Sequence, residues 1–197
     1  FVLYKTLKSK YSKLKNIEIL NRDILKLDIE KKIKKNTIVF GNLPYNISSQ
    51  ILIRFIKLKN SSSFTDLIFM FQKELGEKII CEYPCSNYGR ISIIRNYKLK
   101  VQEKFLISPT CFFPKPKINS MLIHFKPYKN ALFKIKNINN LEKVTNVIFS
   151  NKRKMINKSI KKILKKDQVP KCLNLNKRPA EINPEMYYAI VEIYERG

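Results

Sequence analysis

Asn42, Leu43, Pro44 and Tyr45 stand together in FGNLPYNISSQ, residues 40–50. Proline fixes its own φ and restricts the residue before it, so this segment is stiff. A stiff loop presents the Asn42 side-chain oxygen and its backbone carbonyls in fixed directions, and all of these are acceptors. An exocyclic amine, with two hydrogens to give, fits between them. Tyr45 adds a plane on which a base can stack, worth about 1–3 kcal/mol per base. Acceptors on both N–H groups aim the amine lone pair out of the base plane, towards an electrophilic methyl group in line. Holding it at attack distance can supply up to roughly 7–11 kcal/mol. No strong base is needed before attack, because the amine becomes acidic only once methylated. Asn-x-Pro is equally ordinary turn material, so the four residues alone leave both readings open.

The surrounding elements give the loop its position. NTIVF (36–40) reads as a strand, and its continuous apolar run is the pattern of burial on both faces. SSQILIRFIKLK follows as a helix with Ser48 or Ser49 as its N-cap. IEIL (17–20) reads as an earlier strand and DLIFMF (66–71) as a later one. QKELGEKII and YGRISIIRNY read as helices, and LKVQEKFLI with INSMLIHF as an antiparallel pair of late strands. Alternating strands and helices indicate an open α/β sheet, whose ligands bind beyond the carboxyl ends of the strands. The Asn42–Tyr45 loop follows one such end, and Asp23 follows another. After about residue 130 the strand signals stop. LEKVTNVIFSNKRKMINKSIKKILKK is helical by period, with eight Lys or Arg and no acid in residues 151–166. PEMYYAIVEIYE closes the chain as a helix with Pro184 in its first turn. The division is therefore a sheet domain over 1–130 and a small basic helical domain over 131–197.

Charge limits the partners. Forty Lys and Arg face 15 Asp and Glu, for a formal net charge of +25. A field of this size steers polyanions, and nucleic acid, bound through its phosphates, is the best-populated class. Four cysteines and a single histidine, His124, offer no set of four ligands for zinc, and no metal is expected. The same spacings indicate reduced, structural thiols and hence a reducing compartment. One histidine inside MLIHF gives a Ser-His-Asp triad little support. No apolar run reaches 18 residues, so no membrane helix is expected. The chain begins with Phe rather than Met, which indicates a fragment whose own N-terminus, with any targeting segment, lies upstream.

GNLPYNIS resembles the catalytic motif of the ribosomal RNA adenine dimethyltransferases, and further segments follow in that family's order. FMFQKELGEKI, NYGRISI, CFFPKPKINSMLIHF, SNKRKMINKSI and KRPAEIN are similar to its later motifs, from about residue 17 to the end. The resemblance implies a Rossmann-like methyltransferase sheet, incomplete at its N-terminus, with a small helical C-terminal domain. It implies transfer of methyl groups from S-adenosylmethionine to N6 of two adjacent adenosines near the 3′ end of small-subunit ribosomal RNA, two methyls to each, during ribosome biogenesis. Asn42 and the carbonyl of Leu43 or Pro44 would then hold the target amine, with Tyr45 on one face of the flipped base and Phe112 on the other. Asp23, with Asn42, would serve the cofactor, Asp23 accepting a hydrogen bond from its adenine amine. Arg22 departs from the small residue usual before that acid. Arg90, Lys152, Arg153 and Lys154 are the candidate RNA contacts. The family's glycine-rich cofactor loop would lie upstream, so residues 1–197 alone are expected to bind the cofactor weakly and to be inactive. A monomer is expected, in the cytoplasm or an organelle.

Two alternatives carry different signatures. The related family that dimethylates one adenosine of large-subunit ribosomal RNA shares the FxPKPK strand, but its loop usually reads NIPY and it lacks the YGR segment. Leu43 and Tyr88-Gly89-Arg90 favour the small-subunit enzyme. A non-catalytic assembly or organellar transcription factor would bind RNA without needing the amine acceptors, and Asn42 with Tyr45 argues against it.

Overall fold

The computed structural model describes residues 2–58, 64–128 and 133–197. Four strands form one sheet in the order β1-β2-β4-β3: β1 (Thr37–Asn42), β2 (Phe64–Gln72), β3 (Leu99–Ile107) and β4 (Ser120–Pro127). β1 and β2 are parallel, and β4 runs antiparallel to both of its neighbours. The late strands thus pair as their alternation indicates. The register brings Asn42 opposite Met70, and Gln72 and Ile107 opposite Ser120. The ends of β1, β2 and β3 therefore meet the start of β4 along one edge.

One face of this sheet carries the core. Leu67, Phe69, Phe71, Ile123 and Phe125 lie on it, all but fully buried. Helix α2 (Ser48–Lys57) packs Ile51, Leu52, Phe55 and Ile56 into the same cluster, and burying each such side chain contributes about 1.5–3 kcal/mol. The expected Ser48 or Ser49 cap is not used: Ile47 precedes the helix, and the Ser48 hydroxyl donates instead to the Tyr45 carbonyl, 3.0 Å away. Helices α3 (Lys73–Ile80) and α4 (Arg90–Lys98) complete this layer. Gly76 lets α3 lie against β4, since a Cβ there would come within 2.9 Å of the Met121 sulfur.

Arg95 joins these two helices. It is fully buried, and its guanidinium donates to the carbonyls of Ile79, Cys81 and Leu99. Two of these belong to the last turn of α3 and its C-cap, where carbonyls lack partners within the helix. Burial lowers the Arg95 pKa.

Other expectations about the elements fail. IEIL is not a strand; among the described residues nothing pairs with it, and a strand exists only through its ladder. An unheralded helix, α1 (Val2–Lys10), precedes it and buries no residue. β1 is half-buried on one face and exposed on the other rather than buried on two, because no described element covers the outer one: Ile38 is 54% exposed and Phe40 73%. The long basic helix is broken. α5 (Ile138–Phe149) ends in a turn, and only Asn157–Ile160, α6, is helical again. Crowded like charges disfavour continuous helix, while the turn still buries Ile156, whose N–H donates to the Lys177 carbonyl.

The C-terminal helices share their core with the sheet layer. α7 (Pro184–Tyr194), capped by the Asn183 side chain, sends the Tyr188 hydroxyl to the Ile93 carbonyl, 2.9 Å away. Tyr97 and Phe133 pack on the same Tyr188 ring. The boundary drawn at residue 130 lies outside the described residues. Cys81 and Cys85 are joined in a disulfide, their Cα atoms 6.1 Å apart, within the span such bonds accept. This corrects the expectation of reduced thiols at that pair and removes its support for a reducing compartment; Cys111 and Cys172 are free.

Candidate acceptor site at the sheet edge

Asn42 is the last residue of β1 and is exposed. The residue before it is a glycine for a spatial reason. A Cβ at Gly41 would come within 2.6 Å of the Leu43 side chain and 2.8 Å of the Phe69 ring. The missing side chain lets Leu43 fold back onto the core beside Phe69, which anchors the loop just past the strand. Pro44 is exposed, and its carbonyl accepts from Ile47 N–H at 3.1 Å. Of the two candidate backbone acceptors, Leu43 is therefore the less occupied.

Tyr45 is half-buried, and its phenol shares a 2.6 Å hydrogen bond with the Ser120 hydroxyl. Ser120 is buried at the start of β4. The aromatic plane is thus held at both ends, by Ser48 at the backbone and by Ser120 at the ring. Ser120 belongs to the same CFFPKPKINS segment as Phe112. Phe112 is half-buried, directly after a short 3-10 turn, Pro109–Cys111, that the Ser108 side chain caps. Its neighbour Phe113 is fully exposed, a second free aromatic to which sequence reasoning gave no role.

Asp23 lies in the connection after α1, exposed, and its Oδ1 accepts from Leu25 N–H at 2.8 Å. It closes a turn, as short acids commonly do. Its second oxygen is left for another donor, so the group suits an exocyclic amine such as that of adenine. Arg54 of α2 ties this turn to the acceptor loop. Its guanidinium donates to the carbonyls of Leu25 and Leu27, the latter at 2.6 Å. The helix that begins beside Tyr45 therefore also holds the Asp23 turn. Sequence reasoning missed Arg54, although a single cation inside the apolar run ILIRFI was its visible mark.

The cations lie elsewhere. Arg90 is the first residue of α4 and is half-buried, while Lys152, Arg153 and Lys154 are exposed on the turn after α5. Arg90 and Lys152 line one cleft; Arg153 and Lys154 do not. Among the described residues, no group of three or more His, Cys, Asp or Glu could hold a metal ion, and no helix is long and apolar enough to cross a membrane.

The ribosomal RNA adenine dimethylase family matches residues 2–196. The chain is 42% identical over 183 residues to the ribosomal RNA small subunit methyltransferase A of Pelagibacter ubique, covering 91% of this chain and 70% of that protein. It is 34% identical to the protein of that name from Coxiella burnetii, covering 95% of this chain and 72% of the relative. Against the Francisella tularensis subsp. novicida protein of the same name it is 38% identical but spans only 58% of that relative's length. Among solved structures, a dimethyladenosine transferase from Plasmodium falciparum superposes with a TM-score of 0.77 at 20% identity, covering 99% of this chain and 79% of the other. The 23S rRNA methyltransferase ErmE gives 0.66 at 19%, covering 98% and 78%. The two structures support the shared α/β fold, and with the sequence matches they place this chain: it belongs to the ribosomal RNA adenine dimethylase family.

Proposed function

We propose that the protein transfers methyl groups to N6 of two adjacent adenosines near the 3′ end of small-subunit ribosomal RNA, two to each. The observation that carries this is the acceptor loop. A stiff Asn42–Tyr45 segment leaves the carboxyl end of a parallel strand, with its aromatic ring fixed by Ser120. The Asn42 amide oxygen and the Leu43 carbonyl accept the two N–H groups of the target amine, and Tyr45 and Phe112 take the two faces of the flipped base. Unstacking that base costs a few kcal/mol, roughly what two aromatic faces return. S-adenosylmethionine, when bound, supplies the activated methyl group. Asp23 accepts from its adenine amine, with Asn42 beside it. The chain's own residues orient the nucleophile rather than deprotonate it beforehand.

Residues 131–197 form the RNA-binding domain in this reading, with Lys152, Arg153 and Lys154 on its turn and Arg90, on α4, lining a cleft together with Lys152. All are cations without a carboxylate in ion-pair range among the described residues, which suits them to phosphate. The protein acts as a monomer on the small-subunit RNA or its precursor particle.

The test is methyl transfer by the full-length protein from labelled S-adenosylmethionine to both ribosomal RNAs, mapped by primer extension. Stops at two adjacent adenosines of the small-subunit RNA are expected. Methylation of the large-subunit RNA, or transfer that persists in Asn42→Ala and Tyr45→Ala, would overturn the assignment.

A further inference from the structure

Phe113, beside the acceptor site, is fully exposed. A single exposed apolar side chain is common, but this one sits on a restrained segment. Phe112 N–H donates to the Pro109 carbonyl at 3.2 Å, and the Asn119 carbonyl accepts from Lys73 N–H at 3.0 Å. The segment is thus tied at both ends, and Ser120 just beyond it carries the bond to Tyr45. Pro114 and Pro116 lie within it, and a proline restricts both itself and the residue before it. Phe113 is such a residue, so its ring stands in water on a backbone with little freedom.

Phe112 and Phe113 leave this backbone on opposite sides. Phe112 has extended dihedrals, φ −121° and ψ 148°, and successive side chains of an extended chain point opposite ways. Their burial agrees, since Phe112 is half-buried and Phe113 is open to solvent. The charge nearby selects the occupant. Lys115 and Lys117 follow, both exposed, with no carboxylate in ion-pair range among the described residues. An aromatic plane among cations suits single-stranded nucleic acid, whose bases stack on the ring while the backbone follows the charge.

We propose that Phe113 is the stacking platform for the base next to the target adenosine, so that the Phe112–Phe113 backbone parts the two rings. The proposal rests on the reading that the Asn42–Tyr45 loop receives a flipped adenosine, and deepens it. A base that leaves its stack strips its neighbour of one stacked face. The Phe113 ring replaces that face. Stacking tolerates any base, so the platform sets how far the strand enters the site rather than which sequence it carries.

The test is binding by the full-length protein, without a methyl donor. Three transcripts of the 3′-terminal part of small-subunit ribosomal RNA are compared. One is intact; in the others the first or the second adenosine of the pair is replaced by an abasic nucleotide. The remaining adenosine is then the target, and its neighbour on one side has no base. Phe113→Ala should weaken binding to the intact transcript by about ten-fold, the scale of one base–aromatic stack, and Phe113→Tyr should restore it. One abasic transcript should cost the unmodified protein a similar factor and cost Phe113→Ala nothing further, because both changes remove the same contact. Tyr128→Ala is the control, an exposed ring just past the far end of β4 from Ser120. It should bind the intact transcript normally and lose the full factor on that abasic one. Phe113→Ala should also melt with the unmodified protein, since the ring is fully exposed. If Phe113→Ala binds the intact transcript normally, or loses as much again on both abasic transcripts, the platform proposal fails while binding of the small-subunit RNA stands. If the unmodified protein binds none of the three, the functional reading fails and this proposal with it.

Discussion

The acceptor loop and the basic turn after α5 are built on opposite plans. In the loop, Leu43 is wedged over Gly41, and Tyr45 is tied through Ser48 at its backbone and Ser120 at its ring. In the turn, the side chains of Lys152, Arg153 and Lys154 are exposed, and Ile156 behind them is buried. The difference follows from what each must hold. A reacting amine requires placement within a fraction of an ångström. A phosphate chain is attracted at long range by charge, which acts without a fixed geometry.

Substitutions can break that contrast. Asn42→Ala should give the largest effect. Methyl transfer should fall by about 100-fold or more, the scale for losing one preorganised hydrogen-bonding group, with RNA binding unchanged in a gel-shift assay. The triple change Lys152→Gln, Arg153→Gln, Lys154→Gln should do the reverse. It should lower the salt slope of RNA binding by about two to three, yet leave the transfer rate at saturating RNA nearly intact. Equal loss of rate in both variants would erase the distinction.

Smaller changes sharpen it. Arg54→Met removes two charge-assisted bonds, each worth about 1.5–3 kcal/mol. It should raise the KM for S-adenosylmethionine more than it lowers kcat, because the Asp23 turn loosens while the acceptor loop stays. Tyr45→Phe keeps the stacking plane but loses Ser120, a bond of about 1 kcal/mol. Transfer should drop by about five-fold, measured as kcat/KM. The smallest effect belongs to a control outside both regions. Asp66 accepts from His124 at 2.6 Å. Its carboxyl is held below its usual 3.8, first by a hydrogen bond from the Thr65 side chain and then by the one from His124. A lowered carboxylate stabilises the fold above its ordinary titration range. That stability is lost as the pH falls through the lowered value. Asp66→Asn should therefore flatten the fall in Tm below about pH 4 and leave methyl transfer unchanged.

Much of the sheet edge was legible because its signals are local. The apolar run of β1, the Pro after it and the periodic helix that follows each act within a few residues, and each formed where expected. The misses involve partners distant in sequence. IEIL has strand-forming residues but no ladder to join. Arg54 and Arg95 look like interruptions of apolar helices, and most of their carbonyl partners lie more than a dozen residues away. The basic helix breaks where like charges crowd, and the turn that replaces it bonds Ile156 to Lys177, a contact that no periodicity encodes. The Cys81–Cys85 bond spans only four residues, but spacing alone does not report oxidation state.

The exposed face and unpaired edge of β1 have a consequence for how the protein behaves in a tube. Ile38 and Phe40 stand on a strand that, among the described residues, has no neighbour on one side, the geometry that templates pairing between copies. A charge of +25 on every copy holds them apart. That repulsion reaches about 30 Å at 0.01 M salt but only about 8 Å at 0.15 M. Colloidal stability should therefore be greatest in dilute buffer and should decline as salt is added, so the electrolyte that releases bound RNA is also the one that brings the strand edges together.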